Sequence, residues 1–221
     1  MLNILYLDKY IAVCHKPAGV LCEEGGRDSL PALAKAELSL RGESDTSLYT
    51  VHRLDRDTEG IVVLARSSSV AAKLSEQISE GRWSKIYLAC LWGLPSEQSA
   101  TLCDLLYYDR KRSKSFVVDR ERKGVKSASL EYSVIDVLED KKRTVVRVKL
   151  FTGRTHQIRV QFASRRLPLC GDRRYGAPSE SGNTLALAAA LLSFYHPETD
   201  EKLSFSITPQ NPILAPYRIS E

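Results

Sequence analysis

Apolar and polar residues alternate over several short segments of the chain, and turn-forming residues separate these segments. Alternation with a period of two is the pattern of a strand that buries one face. The pattern predicts strands over residues 4–8, 11–16, 60–65, 85–91, 128–137, 144–150 and 203–207. The run Lys16-Pro17-Ala18-Gly19 ends the second of them, because proline and glycine favour a turn.

Helical spacing of apolar residues is found in two segments, 29–40 and 69–80. The first has Ser29 at its N-cap position and Pro31 in its first turn, two residue types that favour a helix start. A turn at Gly153 opens a third predicted helix over residues 156–163. Residues 109–126 are highly charged and weakly periodic, which predicts a long hairpin or a flexible loop.

The predicted strands outnumber the predicted helices, and the helices interrupt the strands irregularly. This order predicts an α+β fold with a mixed, largely antiparallel central sheet and flanking helices, not a doubly wound fold. The 221 residues suit one large domain or two small ones, and no repeat or linker-like segment divides them.

Composition narrows the class of protein. Hydrophobic residues make up 43% of the chain, enough for a core, and the net charge of +5 is compatible with a polyanionic partner. Five cysteines without a C-x-x-C pair argue against a disulfide framework and a zinc site, and favour free thiols in a reducing cytoplasm. The chain shows no signal-peptide pattern and no apolar stretch near the roughly 18 residues that span a membrane. We therefore expect a cytoplasmic protein without membrane contact.

A carboxylate lies between two arginines in the run Arg53-Leu54-Asp55-Arg56, directly before a predicted strand. Opposite charge nearby favours the ionised carboxylate, which can act as a nucleophile or a base when it is held in place. A structural ion pair or a turn cap is the plain alternative. Asp55 and Asp57 would also allow a glycosidase-like carboxylate pair, although the basic surroundings fit RNA better than a neutral sugar.

A second informative stretch, residues 150–160, brings Arg154 and Arg159 to the start of the third predicted helix. Free backbone N–H groups at a helix start and the fork of an arginine both suit phosphate. The two arginines are five positions apart, so they point in different directions, one able to face phosphate and the other an internal carboxylate. Tyr87 lies in an alternating strand, where core packing and stacking on a base are both open. The sequence has no phosphate-loop, dinucleotide or deaminase signature.

Taken in order, these stretches resemble the RluA-type family of pseudouridine synthases. The resemblance runs from about residue 3 to about residue 210 and includes two long, specific motifs. The matching runs are Lys16-Pro17-Ala18-Gly19, His52-Arg53-Leu54-Asp55-Arg56-Asp57-Thr58, Lys85-Ile86-Tyr87-Leu88-Ala89, Thr152-Gly153-Arg154-Thr155-His156-Gln157-Ile158-Arg159-Val160, Gly171-Asp172 with Tyr175-Gly176, and Ser193-Phe194-Tyr195-His196-Pro197.

The resemblance implies the isomerisation of a specific uridine in transfer or ribosomal RNA to pseudouridine. Asp55 would be the essential carboxylate, attacking the base or the ribose or abstracting a ribose proton. Tyr87 would stack on the flipped uracil, and Arg53 would hold the target nucleotide out of its stack, a step that costs a few kcal/mol. Arg159 would pair with Asp55, and Leu187 would supply an apolar contact near the base.

Further expectations follow from the same resemblance. The additional RNA contacts would come from Arg56, Arg154, Thr155 and Gln157. The fold would be that of a pseudouridine synthase with a catalytic cleft, formed by one catalytic domain over residues 1–221 without an N-terminal RNA-binding domain. The reaction would need no cofactor and no metal, the partner would be an RNA stem-loop, and a monomer is the default.

Three positions depart from the family pattern. Glu59 stands where the family usually has Ser, Gln161 where it often has His, and Ala188 where it has the His of an L-H-A run. These departures and the charge clusters keep a second reading open, a non-catalytic RNA-binding module on the same scaffold.

Overall fold

The structure, a computed structural model, describes residues 1–26, 28–139 and 142–219. In chain order its elements are β1 (Asn3–Leu7), β2 (Ile11–Lys16), α1 (Leu30–Leu40), β3 (Tyr49–Thr50), β4 (Glu59–Ala65), α2 (Ser68–Ser79), β5 (Ser84–Trp92), β6 (Ser99–Asp109), β7 (Lys114–Val118), β8 (Val125–Val137), β9 (Arg143–Leu150), α3 (Gln157–Ala163), β10 (Leu187–Tyr195) and β11 (Lys202–Ser206). The chain forms two compact units. Unit 1 holds Met1–Ser84, Ala189–Pro209 and the chain from Arg218 on, and unit 2 holds Lys85–Ala188 and Gln210–Tyr217.

Unit 1 is built on strands in the order β1-β2-β4-β10, with β3 beside β4 and β11 beside β10. Every residue of β2 and β4 is buried, which explains their near-continuous apolar sequences. Helix α2 begins after Ser67, whose Oγ accepts the N–H of Val70, and it buries Val70 and Leu74. These side chains join a core that includes Trp83 and Phe194.

Unit 2 contains an antiparallel sheet in the order β5-β9-β8-β6-β7. Helix α3 covers one face of this sheet, where Val160 packs with Leu106 of β6 and Ala128 of β8. Long antiparallel strands need no crossover helix, which accounts for the low helix content of this unit.

The predicted α+β fold with a mixed, largely antiparallel sheet is confirmed. The helices expected at 29–40, 69–80 and 156–163 correspond to α1, α2 and α3, and Ser29 caps α1 as expected by accepting the Ala32 N–H. The charged segment 109–126 contains the turn between β6 and β7 and the whole of β7, so it belongs to an antiparallel hairpin. Strands β3 and β10, and all of β6 except its last residue, were not predicted from the sequence.

The five cysteines all carry free thiols, as the sequence predicts. Among the described residues, no helix is long and apolar enough to cross a membrane. No group of three or more His, Cys, Asp or Glu side chains that could hold a metal ion occurs in the same residues. The expectation of one catalytic domain over residues 1–221 stays a prediction.

Candidate active site

Asp55 lies in a tight turn between β3 and β4 in unit 1. Its carbonyl oxygen accepts a hydrogen bond from the Thr58 N–H at 3.1 Å, which closes the turn. The flanking Leu54 is buried, while Asp55 itself is half-buried. The turn therefore anchors the backbone in the unit and leaves the carboxylate at its surface.

Lys16 supports this turn from the interior of unit 1. Its side chain is fully buried, and its Nζ donates hydrogen bonds to the carbonyl oxygens of Pro17 at 2.9 Å, Val20 at 2.8 Å and Arg56 at 3.0 Å. An ammonium has three donors, so all three are used. Burial lowers the Lys16 pKa to about 8, and nearby negative groups that include Asp55 oppose the shift.

Two further contacts fix the peptide groups on either side of Asp55. The Leu54 N–H donates to the Sγ of Cys22 at 3.2 Å, and burial raises the pKa of this thiol. Gly19 donates its N–H to the Arg56 carbonyl at 2.8 Å and accepts from the Arg56 Nε at 3.1 Å. The segment after β2 thus holds the backbone of the Asp55 turn both before and after the carboxylate.

Arg53 and Arg56 are exposed, as an RNA contact requires. The Arg53 side chain is 58% exposed and forms an ion pair with Glu23, which is 64% exposed. An ion pair between two solvated side chains is weak, so a phosphate can compete for the guanidinium.

Tyr87 and Leu187 belong to unit 2 and are largely buried. Tyr87 is 7% exposed on β5, opposite Val148 of β9, and Leu187 is 4% exposed at the start of β10. Burial keeps the Tyr87 ring in a defined orientation, which a stacking role needs. Stacking on a base stays a prediction for Tyr87, as does the apolar contact for Leu187.

Arg159 lies in α3 and pairs in unit 2 with Asp172. Its Nε and Nη2 donate to the two carboxylate oxygens of Asp172 at 2.7 and 2.8 Å, a bidentate contact between side chains that are 6% and 1% exposed. The guanidinium carbon also lies 5.2 Å from the ring centre of Tyr175. Asp172 therefore orients the Arg159 side chain. The expected pairing of Arg159 with Asp55 stays a prediction.

The three RNA contacts expected from the α3 start differ in their surroundings. Gln157 is buried, and its amide group accepts from Thr152 Oγ1 at 2.8 Å and the Arg154 N–H at 3.0 Å while donating to the Ser129 carbonyl at 3.1 Å. Arg154 is half-buried, and its Nε donates to the Ser127 carbonyl at 2.9 Å. The geometry gives Gln157 a structural task, since it fixes the turn that presents Arg154.

A network around His156 was not foreseen from the sequence. His156 precedes α3 with φ of 55°, a conformation uncommon outside glycine, and its Nδ1 lies 2.9 Å from the hydroxyl of Tyr175. That hydroxyl accepts the Ser115 N–H at 2.8 Å, and Ser115 Oγ donates to the Thr155 carbonyl at 2.6 Å. Burial raises the Tyr175 pKa to about 12, so the hydroxyl keeps its proton at neutral pH. The Tyr175-Gly176 pair was the available sequence signal, although it did not identify these partners.

The three departures from the family pattern are all buried. Gln161 donates to the Leu102 carbonyl at 3.2 Å and to Asp104 at 2.7 Å, so it ties α3 to β6. The carboxylate of Glu59 lies 3.7 Å from the Nε2 of His15. Ala188 is fully buried in β10. Gln161 therefore acts in packing, and Glu59 adds a buried acidic group beside the Asp55 turn.

The candidate residues fall into two groups. Unit 1 brings together Arg53, Asp55 and Arg56, together with the missed supports Lys16 and Cys22. Unit 2 holds the rest: Tyr87, Arg154, Thr155, Gln157, Arg159 and Leu187.

Comparison with known proteins places these residues in context. A sequence profile of the RNA pseudouridylate synthase family matches residues 10–164. Over 222 residues the chain is 34% identical to an uncharacterized RNA pseudouridine synthase of Aquifex aeolicus, covering 93% of this chain and 69% of that protein. It is 32% identical to the dual-specificity RNA pseudouridine synthase RluA of Salmonella typhimurium, covering 93% of this chain and 92% of that protein. The first three relatives are longer than the chain, and the match covers 65 to 69% of their lengths.

Solved structures show the same fold. The chain superimposes on human RNA pseudouridylate synthase domain containing 4 with a TM-score of 0.76 and 23% identity, covering 96% of this chain and 91% of that one. At this level of identity the similarity concerns the fold alone.

Proposed function

The chain belongs to the RNA pseudouridylate synthase family, and on that premise we propose that it converts a uridine of RNA into pseudouridine with Asp55 as the essential carboxylate. The reaction is an isomerisation. The bond from the ribose to N1 of uracil breaks, a bond from the same ribose carbon to C5 forms, and the hydrogen of C5 is replaced by one on N1. Atoms and charge balance without a co-reactant.

The observation that carries this proposal is the support of the Asp55 turn. The N–H of Leu54 and the carbonyl of Arg56 are both held by the segment after β2, so the backbone on each side of Asp55 is fixed. A carboxylate that must meet one ribose or base atom gains from such preorganisation, because its position need not be found during the reaction.

Asp55 serves either as a nucleophile towards the base or ribose, or as a base that removes a ribose proton. Deuterium at the ribose carbon next to the glycosidic carbon separates the two routes. Proton removal predicts a primary isotope effect on a single turnover, whereas direct attack predicts a rate close to that with hydrogen.

The remaining roles follow the resemblance. The ring of Tyr87 stacks on the flipped uracil, and Leu187 supplies an apolar contact near the base. Arg53 leaves Glu23 and holds the target nucleotide out of its stack, while Arg159 pairs with Asp55. Arg56, Arg154 and Thr155 contact phosphates, and Gln157 supports Arg154 from within.

The RNA is a stem-loop of transfer or ribosomal RNA. Two features support an RNA partner: the clustered basic residues of unit 2, and relatives whose names specify RNA. We also propose a monomeric, cytoplasmic enzyme that uses no cofactor and no metal. Light scattering tests the monomer, and unchanged activity in excess EDTA tests the metal-free reaction.

Pseudouridine mapping tests the proposal. Unmodified transfer and ribosomal RNA is incubated with the wild type, Asp55→Ala or Asp57→Asn, labelled with carbodiimide and read by reverse transcription. New stops with the wild type and Asp57→Asn, absent with Asp55→Ala, are the expected result. Salt-sensitive RNA binding without new stops would instead indicate the non-catalytic RNA-binding module.

A further inference from the structure

Two aromatic side chains in unit 2 lie on the sheet face opposite α3. In β6, Asp104 accepts hydrogen bonds from two residues of the α3 region and Leu106 packs on Val160, so the even-numbered residues face the helix. Successive side chains of a strand point to opposite faces, which places Tyr107 on the other face. Phe116 of β7 is its register partner, and residues directly opposite share a face.

Both rings are half-buried and each has a cation nearby. The guanidinium of Arg122 lies 4.9 Å from the ring centre of Tyr107, and the ammonium of Lys114 lies 5.8 Å from that of Phe116 and 4.9 Å from that of Tyr175. A pair of accessible rings with adjacent cations is the arrangement that binds single-stranded nucleic acid, in which bases stack on the rings and cations meet the phosphates.

The charge of this hairpin region fits a polyanion. Residues 109–126 carry eight basic and three acidic side chains, a net charge of +5, which equals the net charge of the whole chain. The other residues are therefore neutral in sum, and the positive charge of the protein is concentrated where the two rings lie. Concentrated positive charge attracts nucleic acid and makes its binding depend on salt.

A cavity of about 320 Å³ continues along the same face. It lies between β6 and β8 and is lined by the register partners Leu105 and Ser127, the partners Cys103 and Ser129, and by Thr152. Leu105 is two positions from Tyr107, so it lies on the same face of β6. A cavity of this size, with an apolar floor and several hydroxyl groups, suits a nucleoside.

We propose that this surface, defined by Tyr107, Phe116, Arg122 and the adjoining cavity, binds unpaired nucleotides of the substrate RNA outside the target uridine. The proposal rests on the proposed function, which supplies the RNA. Stacking on two rings is tolerant of sequence, so the surface selects single-stranded RNA over duplex and adds affinity without touching the reacting base.

Binding to a defined probe tests the surface. Fluorescence anisotropy is measured with a labelled uridine-only RNA strand of about 12 nucleotides and with a duplex of equal length. The protein carries Asp55→Ala, so that no turnover alters the probe. Tyr107→Leu and Phe116→Leu are each expected to weaken single-strand binding about 10-fold and duplex binding much less. Tyr49→Leu, which removes an exposed tyrosine of β3, is the matched control and leaves binding unchanged.

The salt dependence separates stacking from charge. Arg122→Gln is expected to lower the slope of log affinity against log salt by about one unit, whereas Tyr107→Leu leaves the slope unchanged. Arg218→Gln removes an exposed arginine of unit 1 and serves as the charge control, with the wild-type slope. Photo-crosslinking of an iodouridine-containing strand is expected to label the peptides that contain Tyr107 or Phe116.

The outcomes distinguish this surface from the catalytic proposal. If the Tyr107→Leu, Phe116→Leu double variant loses single-strand binding, the proposed surface is supported. If the wild type also forms no pseudouridine, the catalytic assignment is overturned while the surface stands. Wild-type binding by the double variant, or no binding of the strand by the parent protein, overturns the surface whatever the enzyme activity. With a mapped substrate, the double variant should raise KM and leave kcat unchanged.

Discussion

The buried pair of Arg159 and Asp172 predicts a large loss of stability when its acidic partner is neutralised. Asp172→Asn keeps the size of the side chain but removes the negative charge that accepts the two hydrogen bonds from Arg159, at 2.7 and 2.8 Å. Bonds to charged groups contribute about 1.5–3 kcal/mol each, and breaking a buried pair on one side costs about 3–5 kcal/mol. We expect the free energy of unfolding to fall by about 3–5 kcal/mol, which lowers Tm by roughly 10 °C in a chain of this size.

A double substitution separates the stability of this pair from its function. Arg159→Met with Asp172→Leu replaces both charges by apolar side chains, which is often close to neutral for stability when the pair is buried. The double variant should therefore regain most of the lost stability, yet stay inactive, because the guanidinium proposed to meet Asp55 is absent.

Urea unfolding followed by tryptophan fluorescence measures the stability, and pseudouridine formation measures the activity. A loss below about 1 kcal/mol in Asp172→Asn would contradict a stabilising role of this pair, because removing one partner of a buried ion pair costs about 3–5 kcal/mol. An active double variant would separately refute the role of Arg159.

Three further predictions concern the backbone supports. Burial lowers the Lys16 pKa from 10.5 to about 8, so the folded state loses this proton at a lower pH than the unfolded state. The stability of the wild type relative to Lys16→Met should therefore rise by up to about 3 kcal/mol between pH 8 and 10.5 and stay level below pH 8. A stability difference that is flat across this range in urea titrations contradicts the lowered pKa. Cys22→Val leaves the Leu54 N–H of the Asp55 turn without its acceptor, which should lower stability by about 1–2 kcal/mol and also lower kcat. Cys22→Ser keeps an acceptor and should recover much of the stability and of kcat. Equal effects of the two variants argue against a supporting role of the Cys22 side chain. Gly171→Ala should lower stability in thermal unfolding by more than about 2 kcal/mol, since φ is +76° and a Cβ would lie 2.0 Å from the Thr184 carbonyl oxygen. Gly176→Ala, at φ +91° with open space around the position, should lower stability by only about 1 kcal/mol. The reverse order of the two losses contradicts the geometry.

The parts of the fold that the sequence predicted are those in which local pattern and burial agree. Strands β2 and β4 are buried throughout and consist mainly of apolar residues, so their sequences identify them. Helix α1 has its capping serine and proline at its start. Strand β6 was missed over nearly its whole length, because its exposed and buried positions do not alternate cleanly and its extended form depends on pairing with β8.

The site residues that the sequence predicted are likewise those that lie in a local motif. The Asp55 motif is contiguous, so it was visible in the sequence. Its supports were not, because Lys16 and Cys22 reach the turn from 40 and 32 positions away. The pairing of Arg159 with Asp172 likewise depends on the fold, since a sequence motif identifies an arginine at a helix start but not the carboxylate that orients it.

The rate of pseudouridine formation with Asp55→Asn tests the role of Asp55 as the essential carboxylate most directly. A mapped RNA is incubated with enzyme at catalytic amounts, digested to nucleosides and quantified by chromatography and mass spectrometry. Circular dichroism confirms that each variant is folded, and Asp57→Asn, in the same turn, is the control. We expect many turnovers for the wild type, a rate near that of the wild type for Asp57→Asn, and no product from folded Asp55→Asn. Wild-type turnover by Asp55→Asn would contradict the assignment of the essential carboxylate.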